Sequence, residues 1–237
     1  VKIADKLTEV SITKKFEGII KAEDLTDLDA LKLNVVSADG TYVHEISKAE
    51  MKLIADGVTV TLKGLPVGEY YLEEVSAPAG FTIADRISFN VTDKQETVSV
   101  PTMTDTSVKV KISKLDIDTK QFIEGAEFEI HEKTGENTYA DEIAVNAYGE
   151  ELKFVSGSSE AVLTGVKPGN YYIVETKAPE GYRKLKAPVE LTIGENLTVS
   201  VGTVSKTIYN SPLEVALAKA DVKTGKALAG AKLELYI

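Results

Sequence analysis

The sequence predicts an all-β protein made of tandem two-sheet sandwiches, with one short helix in the first unit. Apolar and polar residues alternate with period two over short runs, and clusters of Gly, Pro, Asn and Asp separate those runs. One block of sequence also recurs after about one hundred residues, the mark of a repeated unit.

Taken in order, Val10 and Ile12 define the buried face of a first strand, and Lys14 follows in the same phase. Leu33–Val36 and Tyr42–Val43 flank Ala38-Asp39-Gly40, a hairpin signal. A helix is expected over about 48–56, with Ser47 and Glu50 as a capping box, Met51 and Ile54 as an apolar stripe, and Gly57 as its stop. Tyr70, Leu72 and Glu74 share one face of a later strand, and Met103 and Asp105 close the unit. The second unit repeats this plan. Val108, Val110 and Ile112 lead to Lys114, Phe128 and Ile130 alternate, Tyr171 and Ile173 lead to Glu175, and Ile208 and Asn210 end the unit.

The repeat fixes the organisation. GLPVGEYYLEEVSAPAGF at 64–81 aligns without a gap to GVKPGNYYIVETKAPEGY at 165–182. VKISKLDIDTKQFIEGAEFEI at 110–130 aligns likewise to VALAKADVKTGKALAGAKLELY at 215–236. Units are therefore expected at 1–105 and 106–210, with the truncated start of a third at 211–237. A segment as short as the last cannot bury a core of its own. The opening Val1-Lys2-Ile3 has no signal-peptide layout and reads as the start of a mature fragment.

Composition removes several classes of function. Among 237 residues, 27 Lys and Arg face 37 Asp and Glu, a net charge of -10 that suits neither nucleic acid nor an anionic membrane surface. No apolar run is long enough to span a bilayer, so no membrane insertion is expected of this fragment. Cysteine is absent, which excludes disulfides, thiolate metal sites and thiol nucleophiles. His44 and His131 lie far apart and read as surface or edge-strand residues. No metal or cofactor is expected, and ordinary enzyme chemistry is disfavoured.

The informative residues are polar ones in phase with apolar faces. Lys14, Lys114 and Lys219 each continue such a face by period two. One reading is that each strand has left the core and the amine snorkels to water; the other is a buried lysine, paired or neutral. Three occurrences in one phase favour burial. Glu74 and Glu175 are balanced between a core position and a solvent-facing one, while Asp105 and Asn210 are also ordinary strand-end turn formers.

Lys-x-Asp followed by Gly-Ala-x-Phe at 114–128, then Gly-x-Tyr-Tyr-x-x-Glu-Thr-x-Ala-Pro-x-Gly-Tyr at 169–182, resembles the CnaB-type (SpaA-type, prealbumin-like) domains of Gram-positive surface adhesins and pilins. The resemblance is strong over 106–210, good over 211–237 and weaker over 1–105. It implies an Ig-like, prealbumin-like sandwich and an intramolecular isopeptide bond from a first-strand lysine to a last-strand Asn or Asp, assisted by a buried glutamate. Position by position this implies Lys114, Asn210 and Glu175 in unit two, and Lys14, Asp105 and Glu74 in unit one. Lys219 has no acceptor within the chain and is expected to stay free.

General chemistry agrees. A lysine attacks a carboxamide only when neutral, and burial lowers a lysine pKa while raising that of a glutamate. A protonated glutamate can hydrogen-bond the target carbonyl and carry protons to the leaving group. Unit one departs from the pattern, with Asp105 in place of Asn and Phe16 where the other copies have Asp116 and Asp221. The implied role is a cell-wall or cell-surface stalk whose partners are neighbouring domains of the same protein, with host matrix or glycan contacts left to other domains. The rival reading is a ligand-binding module for a host matrix protein or carbohydrate, for which Tyr139 and Tyr148, flanking Asn146, are the candidate contacts.

Overall fold

A computed structural model describes residues 7–19, 21, 25, 27–94, 97–214, 217–230 and 232. Nine strands form the first unit: β1 (Glu9–Phe16), β2 (Lys32–Ser37), β3 (Val43–Glu45), β4 (Met51–Ile54), β5 (Gly57–Lys63), β6 (Gly68–Ser76), β7 (Ile87–Val91), β8 (Thr97–Ser99) and β9 (Met103–Asp105). One sheet has the order β4-β5-β1-β8, with β9 continuing along β1, and the other the order β3-β2-β6-β7. Val10, Ile12, Val58 and Val60 of the first sheet meet Leu33, Val35, Leu72 and Phe89 of the second in one buried core.

The second unit has β10 (Lys109–Asp116), β11 (Glu127–Gly135), β12 (Thr138–Ile143), β13 (Lys153–Val155), β14 (Ala161–Thr164), β15 (Gly169–Lys177), β16 (Val189–Ile193) and β17 (Thr203–Asn210). Its sheets run β14-β10-β17 and β12-β11-β15-β16, with β13 also on β11. In both units the first and last strands are neighbours and parallel. The pairing of β10 with β17 is continuous from Lys109↔Thr203 to Asp116↔Asn210. In unit one the equivalent ladder is split into β8 and β9, with Pro101 in the gap. A proline has no N–H to give the ladder, so the strand breaks there and resumes at Lys14↔Met103 with its register shifted by one residue.

The expected helix over 48–56 is not formed. Lys48–Glu50 make a single 3-10 turn, and Met51–Ile54 are strand β4, paired with β5 across the Ala55-Asp56 turn. The capping chemistry at its start is real, since Glu50 Oε2 accepts from both the backbone N (2.7 Å) and the hydroxyl (2.7 Å) of Ser47. A short sheet edge lay open beside β5, and ladder hydrogen bonds there outweigh one turn of helix. Gly57 starts β5 rather than ending a helix, and it passes so close to β1 that a Cβ would lie 1.9 Å from the carbonyl oxygen of Lys14.

Other local signals behave as their chemistry dictates. Asp39 Oδ1 ties the β2–β3 turn by accepting from Ser37 Oγ (2.6 Å) and Thr41 N (3.0 Å). His44 lies on edge strand β3, but His131 is buried on interior strand β11, with Nδ1 3.0 Å from the carbonyl oxygens of Ala140 and Glu142. The tail repeats the exit turn of β10. Asp221 Oδ1 accepts from Lys223 N (3.0 Å) and Thr224 N (2.8 Å), as Asp116 Oδ1 does from Asp118 N (2.8 Å) and Thr119 N (2.7 Å). Lys219 is exposed, and Val215, in phase with it, lies outside the described residues.

Candidate functional site

Each sandwich encloses one polar cluster, and the parallel ladder places two of its three members. Asp116 pairs with Asn210 and Lys114 with Ile208, so Lys114 and Asn210 sit two positions apart on adjacent strands and on one face. The relation is the same in unit one, where Phe16 pairs with Asp105 and Lys14 with Met103. The third member comes from the opposite sheet. Glu175 pairs with Phe128 across β11–β15, and Glu74 with Leu33 across β2–β6. In both units the register shifts next to that pair: Glu127 pairs with Lys177 but Phe128 with Glu175, and Lys32 with Ser76 but Leu33 with Glu74, so the extra residue, Thr176 or Val75, lies on the glutamate's own strand. Such a bulge re-aims side chains locally, and its recurrence beside the glutamate makes it part of the site.

All six residues are buried. Lys14 and Asp105 are 0% exposed, Lys114 and Asn210 1%, Glu175 3% and Glu74 8%. That settles the phase of each side chain in favour of the core, against snorkelling or turn-forming roles.

The two clusters differ chemically. In unit two Asn210 Nδ2 donates to Glu175 Oε1 (2.8 Å), and Glu175 Oε2 accepts from Leu185 N (2.7 Å). Glu175 therefore touches the amide nitrogen, not the carbonyl oxygen that the sequence suggested. Lys114 Nζ and Asn210 Oδ1 have no hydrogen-bond partner among the described residues. Burial pushes the Lys114 amine down to about 8, only partly offset by the negative charges of Glu175 and Asp116.

In unit one Lys14 Nζ donates to Glu74 Oε2 (2.8 Å) and to Asp105 Oδ1, and Glu74 Oε2 also accepts from Ala84 N (2.7 Å). By contact alone Lys14 has two anionic partners. Burial, then the adjacent Glu74, raises the Asp105 carboxyl to about 9 against the opposing pull of Lys14. Two acids in one dry chamber do not both ionise, and burial beside Glu74 holds the Asp105 carboxyl in its neutral form. Glu74 Oε1 and Asp105 Oδ2 are without partners among the described residues.

The shift at Lys114 has a direct consequence. Below about pH 8 the neutral amine fraction changes about tenfold per pH unit, so acylation of Lys114 should accelerate with pH up to about 8 and level off above it. Freshly made protein, quenched in acid at intervals across that range, reads the profile; a rate independent of pH below 8 would contradict it. For the unjoined fold the amine titrates near 8 folded and 10.5 unfolded, so the unfolded chain binds more protons between these values. Stability of the unjoined fold then rises with pH across that window.

A loop seals each cluster. In unit two Tyr182 Oη donates to Asp116 Oδ2 (3.0 Å), Arg183 N to Ser211 O (3.0 Å) and Leu213 N to Gly181 O (2.7 Å). In unit one Phe81 replaces Tyr182, and its ring meets Phe16 edge-on at 5.4 Å. Of the two aromatic residues considered as ligand contacts, Tyr139 is 37% exposed on β12, whereas Tyr148 packs against unit one with its ring 6.0 Å from Phe81. Tyr148 is thus an inter-unit contact, a role no local pattern could reveal.

A family model described as the SpaA prealbumin-like fold domain matches residues 10–106 and again 108–207. No curated protein matches the chain. Among solved structures, the Bacillus anthracis TIE protein is 20% identical with a TM-score of 0.45, covering 88% of this chain and 34% of its own. A Streptococcal ancillary pilin is 23% identical with a TM-score of 0.36, covering 90% and 64%. The C-terminal fragment of the pilus adhesin SpaC from Lactobacillus rhamnosus GG is 17% identical with a TM-score of 0.44, covering 89% and 100%. The chain thus spans about a third of the first of these proteins and just under two thirds of the second.

Proposed function

The chain belongs to the SpaA prealbumin-like fold family, and from that premise we propose that it is a stalk segment of a Gram-positive adhesin or pilus protein, stabilised by self-made isopeptide bonds. The observation that carries this reading is the recurrence, in both units, of a buried lysine, glutamate and Asn or Asp at matching places in the fold, with polar atoms left unpartnered. An unsatisfied buried polar group costs about 1–3 kcal/mol. Amide formation answers part of that cost, because it takes up the unpartnered Lys114 amine, while Asn210 Oδ1 remains as the carbonyl oxygen of the new bond.

In unit two the neutral Lys114 amine attacks Cγ of Asn210. Glu175 takes a proton from the attacking nitrogen and delivers it to Nδ2, which Oε1 already contacts at 2.8 Å. The C–Nδ2 bond breaks, ammonia leaves, and Lys114 and Asn210 are joined by an amide. In unit one Glu74 takes the proton from Lys14, the amine adds to the neutral Asp105 carboxyl, and water leaves. Folding supplies the proximity, which is worth about 7–11 kcal/mol in well-oriented intramolecular reactions. Each site turns over once, so the chain is not an enzyme in the ordinary sense and the reaction calls for no cofactor.

The same reading divides the chain into units at 1–105 and 106–210, with a third beginning at 211. Tension entering at β1 passes from Lys14 to Asp105, along β10 from Lys109 to Lys114, across to Asn210 and out through the tail. Most of each sandwich then carries no load. The working place of such a stalk is the cell wall or surface, and its partners are neighbouring domains of the same protein. Single-molecule pulling tests this directly. Without a bond, unfolding the residues between Lys114 and Asn210 releases about 300 Å of chain. With it, no step of that length should appear, and repeated steps of that size would sink the proposal.

A further inference from the structure

We propose that the unit-two loop between β12 and β13 is a wedge that completes the wall of the unit-one reaction chamber, making the Lys14–Asp105 bond dependent on docking of unit two. The inference rests on the cross-linking reading above and extends it to the order in which the units mature.

The wedge is a built structure. Asn146, 4% exposed, frames it: Oδ1 accepts from Tyr148 N (2.9 Å) and Glu150 N (2.9 Å), while Nδ2 donates to Glu150 Oε2 (3.0 Å) and Thr164 O (3.2 Å). This frame presents Ala147 and Tyr148 to unit one. Ala147 is 2% exposed and belongs to the unit-one core. Tyr148 Oη donates to Glu17 O (3.2 Å), just beyond the end of β1. Its ring stands edge-on to Phe81 at 6.0 Å and 87°. Phe81 stands edge-on to Phe16 at 5.4 Å, and the Phe16 ring lies 5.7 Å from Lys14 Nζ. Aromatic contacts therefore run without a gap from the neighbouring unit to the attacking amine.

The seam around the wedge is close. Val108 N donates to Gly80 O (2.8 Å), and Ile83 N donates to Leu197 O (2.8 Å). A Cβ on Gly80 would lie 2.6 Å from Gly165 O and 2.7 Å from Ala147 Cβ, so a side chain there would push the units apart.

The two units treat the same position differently, and the difference fits the proposal. Where unit one has the apolar pair Phe16 and Phe81, unit two has Asp116 and Tyr182 joined by a hydrogen bond of 3.0 Å. A polar seal tolerates water at its outer edge. An apolar pair left uncovered exposes ring surface, and loosening it admits water to a chamber whose chemistry depends on a neutral Asp105. Unit two supplies that cover.

The test uses the whole chain, synthesised cell-free, quenched in acid at intervals and digested, with the Lys14–Asp105 and Lys114–Asn210 linked peptides quantified separately. Tyr148→Ala should slow the unit-one bond by about tenfold or more, in line with the cost of small misplacements in oriented reactions, and leave the unit-two bond at its normal rate. Tyr148→Phe keeps the ring on Phe81 and should restore most of the unit-one rate. Unchanged unit-one kinetics in Tyr148→Ala would overturn the wedge while leaving the cross-links standing. Equal slowing of both bonds would assign Tyr148 to folding of the whole chain and would also overturn it. Absence of both linked peptides from the wild type would remove the cross-linking reading itself, and the wedge with it.

Discussion

A chain carrying Glu175→Ala should retain the mass of an unjoined unit two and melt that unit at a much lower temperature than the wild type. Glu175 is the group that bridges the Asn210 amide and the Leu185 backbone, and the proposed proton transfer has no other carrier among the described residues in contact with Asn210 Nδ2. The proposed bond closes a loop of nearly one hundred residues, worth about 4–5 kcal/mol in the chain-entropy account. For a domain of this size that corresponds to a fall in melting temperature of about 20 °C or more. Glu175→Gln preserves the shape and most of the hydrogen bonding, so it separates chemistry from packing. It should also remain unjoined, with a smaller additional loss of stability than alanine. Calorimetry with intact-mass readout on both variants checks this, and a joined Glu175→Gln chain would show that proton carriage is not the role of Glu175.

Lys14→Ala should damage unit one still more. It removes the nucleophile, and it leaves Glu74 and Asp105 facing each other in a chamber with no cation. The lost cross-link is worth about 4–5 kcal/mol, and truncating the buried lysine stem leaves a cavity that adds to it. A combined loss of about 5 kcal/mol or more is expected, read as a lower denaturant midpoint for unit one. The pH dependence has a definite sign. A carboxyl such as Asp105, whose folded pKa lies above its unfolded one, binds more protons folded than unfolded. Stability of the variant should therefore fall as pH rises above the unfolded value of 3.8, since removing Lys14 takes away a group that lowers the Asp105 pKa. Greater stability at high pH than at pH 5 would contradict the assignment of a neutral Asp105.

Much of this site was legible in the sequence because strand chemistry has a period of two. Once Val10 and Ile12, or Val110 and Ile112, are placed inward, the phase of Lys14 and Lys114 follows, and both are buried. The same alternation put Glu74 on one face with Tyr70 and Leu72 without deciding its burial, and all three are buried. The helix expected over 48–56 failed because Met51 and Ile54, three residues apart, suit a helical stripe as well as a short hairpin. Tertiary pairing with β5 decided between them. The bulges beside Glu74 and Glu175 left no sequence signal, since nothing about Val75 or Thr176 marks either as an extra residue. The packing of Tyr148 left no sequence signal because its partners, Glu17 and Phe81, belong to the other unit.

The contrast between the two clusters follows from one substitution. With Asn210 as acceptor, unit two holds a neutral amide and one glutamate, and its lysine has no hydrogen-bond partner among the described residues. With Asp105, unit one holds two acids and one amine, so the lysine is drawn to both and one acid must stay protonated. The leaving groups of the proposed reactions differ accordingly, ammonia in unit two and water in unit one.

That difference makes intact mass of the denatured wild-type chain the most direct test. Loss of ammonia and of water removes about 17 and 18 Da, so two bonds give a deficit of about 35 Da from the mass calculated from sequence. The account predicts that deficit, with the linked peptides mapping to Lys14–Asp105 and Lys114–Asn210. A chain at its full calculated mass would contradict it, and the six buried residues would then be ordinary, if costly, members of two sandwich cores.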